Sequence, residues 1–275
     1  MTLTGQFRLA ERAYARALRF GRATRGYFRP TYHGIENLEG LGGAVIAANH
    51  GLFGMELLGL MLGIDEAVHR PVRALGDELL FATAAQRKIM RTMGACVGRP
   101  EVAHTLLMRG ELIYVCPGGA REALANKEDR YKLFWDGHYG FVRAALRANV
   151  PIVPLAIVGI DEIYRQVVDK GRVRETAAGQ LVADWFGEKY VVPLYAGIGP
   201  MPFPQQLEYH FGKPIPTGFG PNAATDEAIV RTLHAQAKGA VEAMLARALE
   251  ARDARERALS GTPGRFARAL RYLAG

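Results

Sequence analysis

From about residue 30 onward the chain alternates short apolar runs with amphipathic stretches. "GGAVIAANH" (42–50), "VRALG" (72–76), "ELIYVCPGG" (111–119), "PIVPLAIVG" (151–159) and "QLEYHFGKPI" (206–215) read as buried strands, several of them ending in a polar or glycine-rich turn. Between them, "FGMELLGLML" (53–62), "EVAHTLLMRG" (101–110) and "YGFVRAALRANV" (139–150) repeat their apolar residues at helical spacing, the last closed by Asn149. Apolar strands separated by helices predict an α/β fold, a largely parallel central sheet with helices on both faces. In such sheets chemistry gathers beyond the C-terminal ends of the strands, which is where Asn49-His50 and the "PGGARE" turn fall.

The rhythm breaks over 161–208, where charged stretches give way to "VVPLYAGIGPMPFPQQ". Dense glycine and proline there predict an insertion beside a substrate groove. Residues 224–258 form one long alanine-rich helix with Thr225 or Asp226 as its cap. At the N-terminus, Phe7, Ala10, Tyr14 and Leu18 share one helical face with arginines between them. This is a basic amphipathic helix, which either lies on a membrane surface or packs on the domain. "GTPGRFARALRYLAG" (261–275) repeats that character. The chain divides into an N-terminal helix (1–29), a central domain (30–223) and C-terminal helices (224–275).

Composition narrows the class. With 275 residues, 49% hydrophobic and 23% charged, the chain suits a folded α/β domain rather than a disordered one. The net charge of +8 sits at the ends: residues 1–29 carry +6 and 247–275 carry +4, leaving −2 between them. Basic ends suit an anionic surface, and without a recognised nucleic-acid motif a phospholipid surface is the better partner. The most apolar window, 45–64, holds Asn49, His50, Glu56 and four glycines, too many polar and helix-weakening groups for a membrane span. Cys96 and Cys116 lie in apolar surroundings and are expected as reduced core residues. No GxSxG elbow, phosphate loop or metal-ligand spacing is present, so no metal is expected.

Two ionisable groups interrupt the apolar stretch "AANHGLFGMELLGL" (47–60). His50 follows a strand directly, and Glu56 is the nearest acid able to orient its ring; together they are candidates for a general base and its partner. A core histidine bonded to a carbonyl is the plainer reading of His50 alone. In "PGGARE", Gly118 and Gly119 place backbone N–H groups in a tight turn suited to an anion or a developing oxyanion, Arg121 offers a forked cation, and Glu122 an anchor for that arginine or for the turn. Arg99, closing "MGACVGR", is a candidate phosphate contact. Leu52, Phe53, Met55, Leu57 and Leu58 are expected as core, with an acyl-chain channel as the alternative.

Asn49-His50, "GACVGR", "PGGAREA", "GFVRAALRANVPIVPLAIVG" and "FGKPI" together resemble the lysophospholipid/glycerolipid acyltransferase superfamily, in particular its diacylglycerol acyltransferase-like and phytyl ester synthase-like branch. The resemblance covers about residues 30–216. It implies an acyl thioester donor (acyl-CoA or acyl carrier protein), a lipid hydroxyl acceptor, and work at the cytoplasmic face of a membrane without a further cofactor. Carried over by position, His50 deprotonates the acceptor, and Gly118, Gly119, Arg121 and Glu122 hold the acceptor head group or the reacting carbonyl. Asn49 precedes the base and Arg99 belongs to the acceptor pocket. One departure stands out: the family's acid would fall on Met55, whereas this chain has Glu56, one place later. That offset leaves open a catalytically weakened lipid-binding homologue, and water as acceptor would make the chain a thioester hydrolase.

Overall fold

The computed structural model describes residues 11–197 and 201–260. Its strands are β1 (Thr31–His33), β2 (Ala44–Ala48), β3 (Val72–Gly76), β4 (Cys96–Val97), β5 (Leu112–Val115), β6 (Ile152–Val158), β7 (Arg165–Val168), β8 (Leu194–Ala196) and β9 (Glu208–Phe211). Seven of them form one sheet in the order β1-β9-β6-β2-β5-β3-β4, while β7 and β8 pair separately as an antiparallel ribbon. The five strands from β6 to β4 are mutually parallel; β9 runs antiparallel to β6 and parallel to β1. The sheet is therefore parallel at its heart with an inverted edge.

The helices are α1 (Glu11–Ala23), α2 (Arg25–Phe28), α3 (Glu56–Val68), α4 (Ala84–Thr92), α5 (Pro100–Met108), α6 (Gly119–Ala123), α7 (Gly140–Ala148), α8 (Lys170–Arg174), α9 (Ala177–Phe186) and α10 (Glu227–Ser260). Strand β2 shows why its sequence reads as an unbroken apolar run. Val45 and Ala47 join the core formed with α5, α7 and α10, while Ala44, Ile46 and Ala48 join the core formed with α1 and α3. Successive side chains point to opposite faces and both faces are covered, so no position on the strand meets water.

Both ends of the described chain are part of this core. On α1, Tyr14, Ala17 and Leu18 are buried, and the Tyr14 hydroxyl accepts the Val72 N–H at 3.2 Å. Its apolar stripe packs on the domain, and its arginines face outward. Helix α10 buries Val230, Leu233, Val241 and Leu245 against the sheet, with Asp226 rather than Thr225 accepting the Ala228 and Ile229 N–H groups at its start. Residues 1–10 and the basic tail 261–275 lie outside the described set. Both cysteines are free thiols, Cys96 buried and Cys116 half-buried. Among the described residues no helix is long and apolar enough to cross a membrane.

Candidate active site

The parallel register places Ala47 of β2 beside Val115 of β5 and Ala48 beside Leu155 of β6. Chain just beyond these pairs forms one rim: Asn49-His50 from β2, Cys116 to Glu122 from β5, and Asp161 from β6. Asn49 stitches the rim. Its side-chain carbonyl accepts the Ile157 N–H at 2.8 Å and its amide donates to the Ile157 carbonyl at 2.9 Å, extending the β2–β6 ladder by one rung. Asn49 thus holds the strand end that presents His50 and is itself 4% exposed.

Met55 and Glu56 show how the one-residue offset of the acid is absorbed. A 3-10 turn over Leu52–Gly54 separates His50 from α3, with Gly54 at φ 68, a conformation that favours glycine. Helix α3 consequently begins at Glu56, whose carboxylate turns back to the imidazole: Nδ1 of His50 lies 2.7 Å from Oε1. Glu56 is fully buried, and Tyr114 donates its hydroxyl to the same oxygen at 3.2 Å. Cys116 donates its thiol to Tyr114 Oη at 3.0 Å, completing a chain of polar groups beneath the imidazole. The second carboxylate oxygen, Oε2, is buried without a hydrogen-bond partner. A carboxylate so sparsely solvated binds the imidazolium strongly.

Burial alone would disfavour a charged His50; contact with the Cys116 sulfur and the Glu56 carboxylate outweighs it and lifts the pKa well above 6.5. Cys116 is itself pushed upward by burial. With Nδ1–H given to the carboxylate, the ring's lone pair lies on Nε2. The ring is 23% exposed, and its open side belongs to a polar pocket.

Glu122 is buried and clamps the "PGGARE" turn to this corner. Its Oε2 accepts the His50 N–H at 3.1 Å and its Oε1 the Phe134 N–H at 2.7 Å. Burial raises its pKa to about 7 in spite of these bonds. The clamp explains Gly118, where a Cβ would lie 2.1 Å from the Glu122 carboxyl. Gly119 does not serve as the predicted oxyanion donor: its N–H is taken by the Cys116 carbonyl at 3.0 Å, closing the turn. Arg121 is exposed and lies over the Phe134 ring, 4.4 Å from its centre, outside the pocket wall. Arg99 is exposed as well, bonded to Glu78 at 2.7 Å, and does not reach the pocket.

The pocket's cations come instead from the charged run behind "PGGARE": Lys127, Arg130 and Lys132 line it, opposite Asp161 and Tyr131. Asp161 accepts the Tyr131 N–H at 2.9 Å, and burial raises its pKa to about 7. Tyr131 adopts φ 61 and receives the Gly159 N–H on its hydroxyl at 2.8 Å. These residues were not singled out from the sequence, although Asp161 obeys the rule that picked His50, since it follows a strand of the parallel core. Of the expected acyl-channel residues, Leu52 forms part of the pocket wall, while Met55 and Leu58 line a separate apolar cleft with Phe28, Pro30, Leu62 and Leu207.

Two groups among the described residues bring three ligand-type atoms within 4.8 Å of one another: His50, Glu56 and Cys116, and, at the inverted edge, His33, Glu208 and His210. In the second group Arg255 of α10 already pairs with Glu208, and the two imidazoles stack 4.5 Å apart.

A half-buried imidazole paired with a buried carboxylate lies at the rim of a parallel sheet and opens on a polar pocket. Residues 29–158 match the Acyltransferase family model. An uncharacterized protein of Mycobacterium tuberculosis (strain ATCC 25618 / H37Rv) is 33% identical over 239 residues, which are 83% of this chain and 64% of that protein. The "DGAT1/2-independent enzyme synthesizing storage lipids" of Homo sapiens is 29% identical over 216 residues, 78% of this chain and 60% of the human protein. The chain therefore spans a little under two thirds of the length of these curated relatives. Among solved structures, the 1-acyl-sn-glycerophosphate (LPA) acyltransferase PlsC of Thermotoga maritima aligns with a TM-score of 0.47 at 19% identity, covering 83% of this chain and 78% of that one. These matches bear out the resemblance to the lysophospholipid/glycerolipid acyltransferase superfamily.

Proposed function

We propose that this protein transfers a fatty acyl group from a thioester to a lipid hydroxyl, with His50 as the general base. The carrying observation is the 2.7 Å contact between His50 Nδ1 and the buried Glu56 carboxylate, beside a polar pocket. In this reading Nε2 takes the proton of the acceptor hydroxyl as its oxygen attacks the thioester carbonyl. The tetrahedral intermediate collapses, the C–S bond breaks, and the departing thiolate recovers the proton from the imidazolium. Glu56 stabilises the imidazolium in between. Asp161 and Glu122, both with pKa near 7, suit contacts to neutral hydroxyls. Lys127, Arg130 and Lys132 suit the phosphates of coenzyme A, of a carrier-protein arm or of a phospholipid acceptor. The relatives named for storage-lipid synthesis support a lipid acceptor.

The displaced acid was the reason to consider a catalytically weakened homologue; the Glu56 contact removes that reason. The test is transfer from radiolabelled acyl-CoA to a panel of lysophospholipids, diacylglycerol and long-chain alcohols. Wild-type transfer is expected, falling about 10²–10⁴-fold in His50→Ala. Full activity in that variant sinks the mechanism. Thioester cleavage without acceptor at the rate of transfer makes the chain a hydrolase instead. Cys116 lies against the base. In direct attack, Cys116→Ala keeps most activity; an isolable, hydroxylamine-labile acyl-Cys116 replaces direct attack by a covalent route.

A further inference from the structure

The segment that covers the pocket is inside out. On β7, Gln166 points inward: its carbonyl accepts the Lys127 N–H at 2.7 Å and its amide donates to Asn126 at 3.2 Å. On β8, Tyr195 donates its hydroxyl to the Ala125 carbonyl at 3.0 Å. The neighbours of these polar residues face water: Val167 is 65% exposed and Leu194 is 56% exposed. Helix α9 adds large apolar groups to that outward side, beside its exposed Gln180 and Asp184. Gly179 is its one buried residue, while Leu181 and Trp185, one helical turn apart, stand 57% and 77% exposed with Phe186 beside them. Single exposed apolar residues are ordinary; a segment that directs its polar groups inward and its large apolar groups outward is not.

The outward face continues beyond this segment. The Tyr190 hydroxyl donates to Asp77 at 2.7 Å, joining the cap to the turn that carries exposed Leu79 and Leu80. That turn leads into α4, which buries none of its residues and presents Lys88 and Ile89 together. Helix α1 packs alongside α4 and turns Arg12, Arg16 and Arg19 to solvent. Between them α1 and α4 hold seven cations and one acid. A large exposed tryptophan and phenylalanine next to a basic border match the interface of an anionic bilayer, where amphipathic rings sit at the headgroup level. The same border argues against a second copy, because a two-fold contact would set basic helices against each other.

We infer that the outer face of α9, β7 and β8, with the 78–81 turn and α4, is the surface by which this protein docks on anionic phospholipid membranes. Insertion of Trp185 and Phe186 brings the pocket mouth to the interface, because the Ala125–Lys127 strip that anchors the cap also lines the pocket. The use of that placement rests on the lipid-acceptor reading above; the docking itself does not. This assignment differs from the one drawn from the basic ends, since the apolar anchor lies in the middle of the chain.

The test uses the full chain and vesicles of phosphatidylcholine with and without phosphatidylglycerol. Trp185 and Trp135 are the two tryptophans, and Trp135 is fully buried, so emission changes on vesicle binding report Trp185. Binding is expected to shift that emission to the blue, and brominated lipid to quench it. Leu181→Ser/Trp185→Ser/Phe186→Ser, checked for an unchanged melting temperature, should partition about a thousandfold more weakly, each buried side chain being worth roughly tenfold. Lys88→Glu/Arg91→Glu should weaken binding only to vesicles containing phosphatidylglycerol. Equal flotation of the triple variant and wild type overturns the assignment. So does a wild type that ignores vesicles but dimerises through Trp185. Transfer to a soluble short-chain alcohol is measured separately and should survive the triple substitution. Its absence in wild type would remove the catalytic reading while leaving the docking result intact.

Discussion

The catalytic corner and the outer face of the cap break the same rule in opposite directions. At the corner, Glu56 and Glu122 are ionisable groups inside an apolar shell; on the cap, Leu181, Trp185 and Phe186 are apolar groups in water. Only the corner is resolved within the molecule. His50, Glu56, Tyr114 and Cys116 bond to one another, leaving only Oε2 of Glu56 without a partner, and Glu122 is held by two backbone N–H groups. Among the described residues the cap's apolar side has no counterpart, and the proposed one is a membrane surface. A buried polar network signals chemistry, and an outward apolar face signals contact.

Removing the charge at the corner should have the largest effect. Glu56→Gln keeps the shape but deletes the carboxylate, and acyl transfer should fall about 10²-fold or more. The pH profile separates this from a packing defect. The wild-type rate should rise with pH through a limiting pKa above 6.5, because the base must be neutral to act. In the variant the carboxylate no longer opposes burial, and the limiting pKa should fall below that of wild type. Gly118→Ala comes next. Its methyl would meet the Glu122 carboxyl at 2.1 Å, so the clamp must shift; thermal unfolding should reveal a loss of ~1–3 kcal/mol together with reduced activity.

Asp161 offers a smaller test of opposite sign. Its carboxyl has a pKa of about 7 in the fold against 3.8 ordinarily, so it destabilises the fold progressively as pH rises between those values. Asp161→Asn should therefore match wild type near pH 4 and exceed it in stability by ~1–2 kcal/mol above pH 7, measured by denaturant titration. Arg99→Ala should change least, within about twofold in activity, since an exposed pair with Glu78 contributes little. A large loss there would show that the pocket extends beyond its present wall.

The contrast also shows what could be read from the chain before folding. The parallel core, the rim position of His50 and the clustering of "PGGARE" with it follow from strand-sized apolar runs ending in polar or glycine turns, a local pattern with a direct physical cause. Arginines were the weak point. Arg99 and Arg121 sit in suggestive motifs, yet a long flexible side chain is placed by its neighbours, here Glu78 and the Phe134 ring. The pocket's own cations hid in a charged run, "NKEDRYK" (126–132), that resembles any solvated loop.

The amino-acid sequence by itself determined the alternation of strand and helix, the α/β class, the family resemblance and the candidacy of His50, because each rests on local periodicity or on residues adjacent in the chain. Tertiary structure alone decided that Glu56 reaches His50, since Gly54 at φ 68 and the late start of α3 turn a one-residue offset into a 2.7 Å contact. It decided as well that α1 and α10 belong to the core and that the apolar side of the cap faces outward. Which face of an element is covered depends on what packs against it, and that information lies in distant parts of the chain.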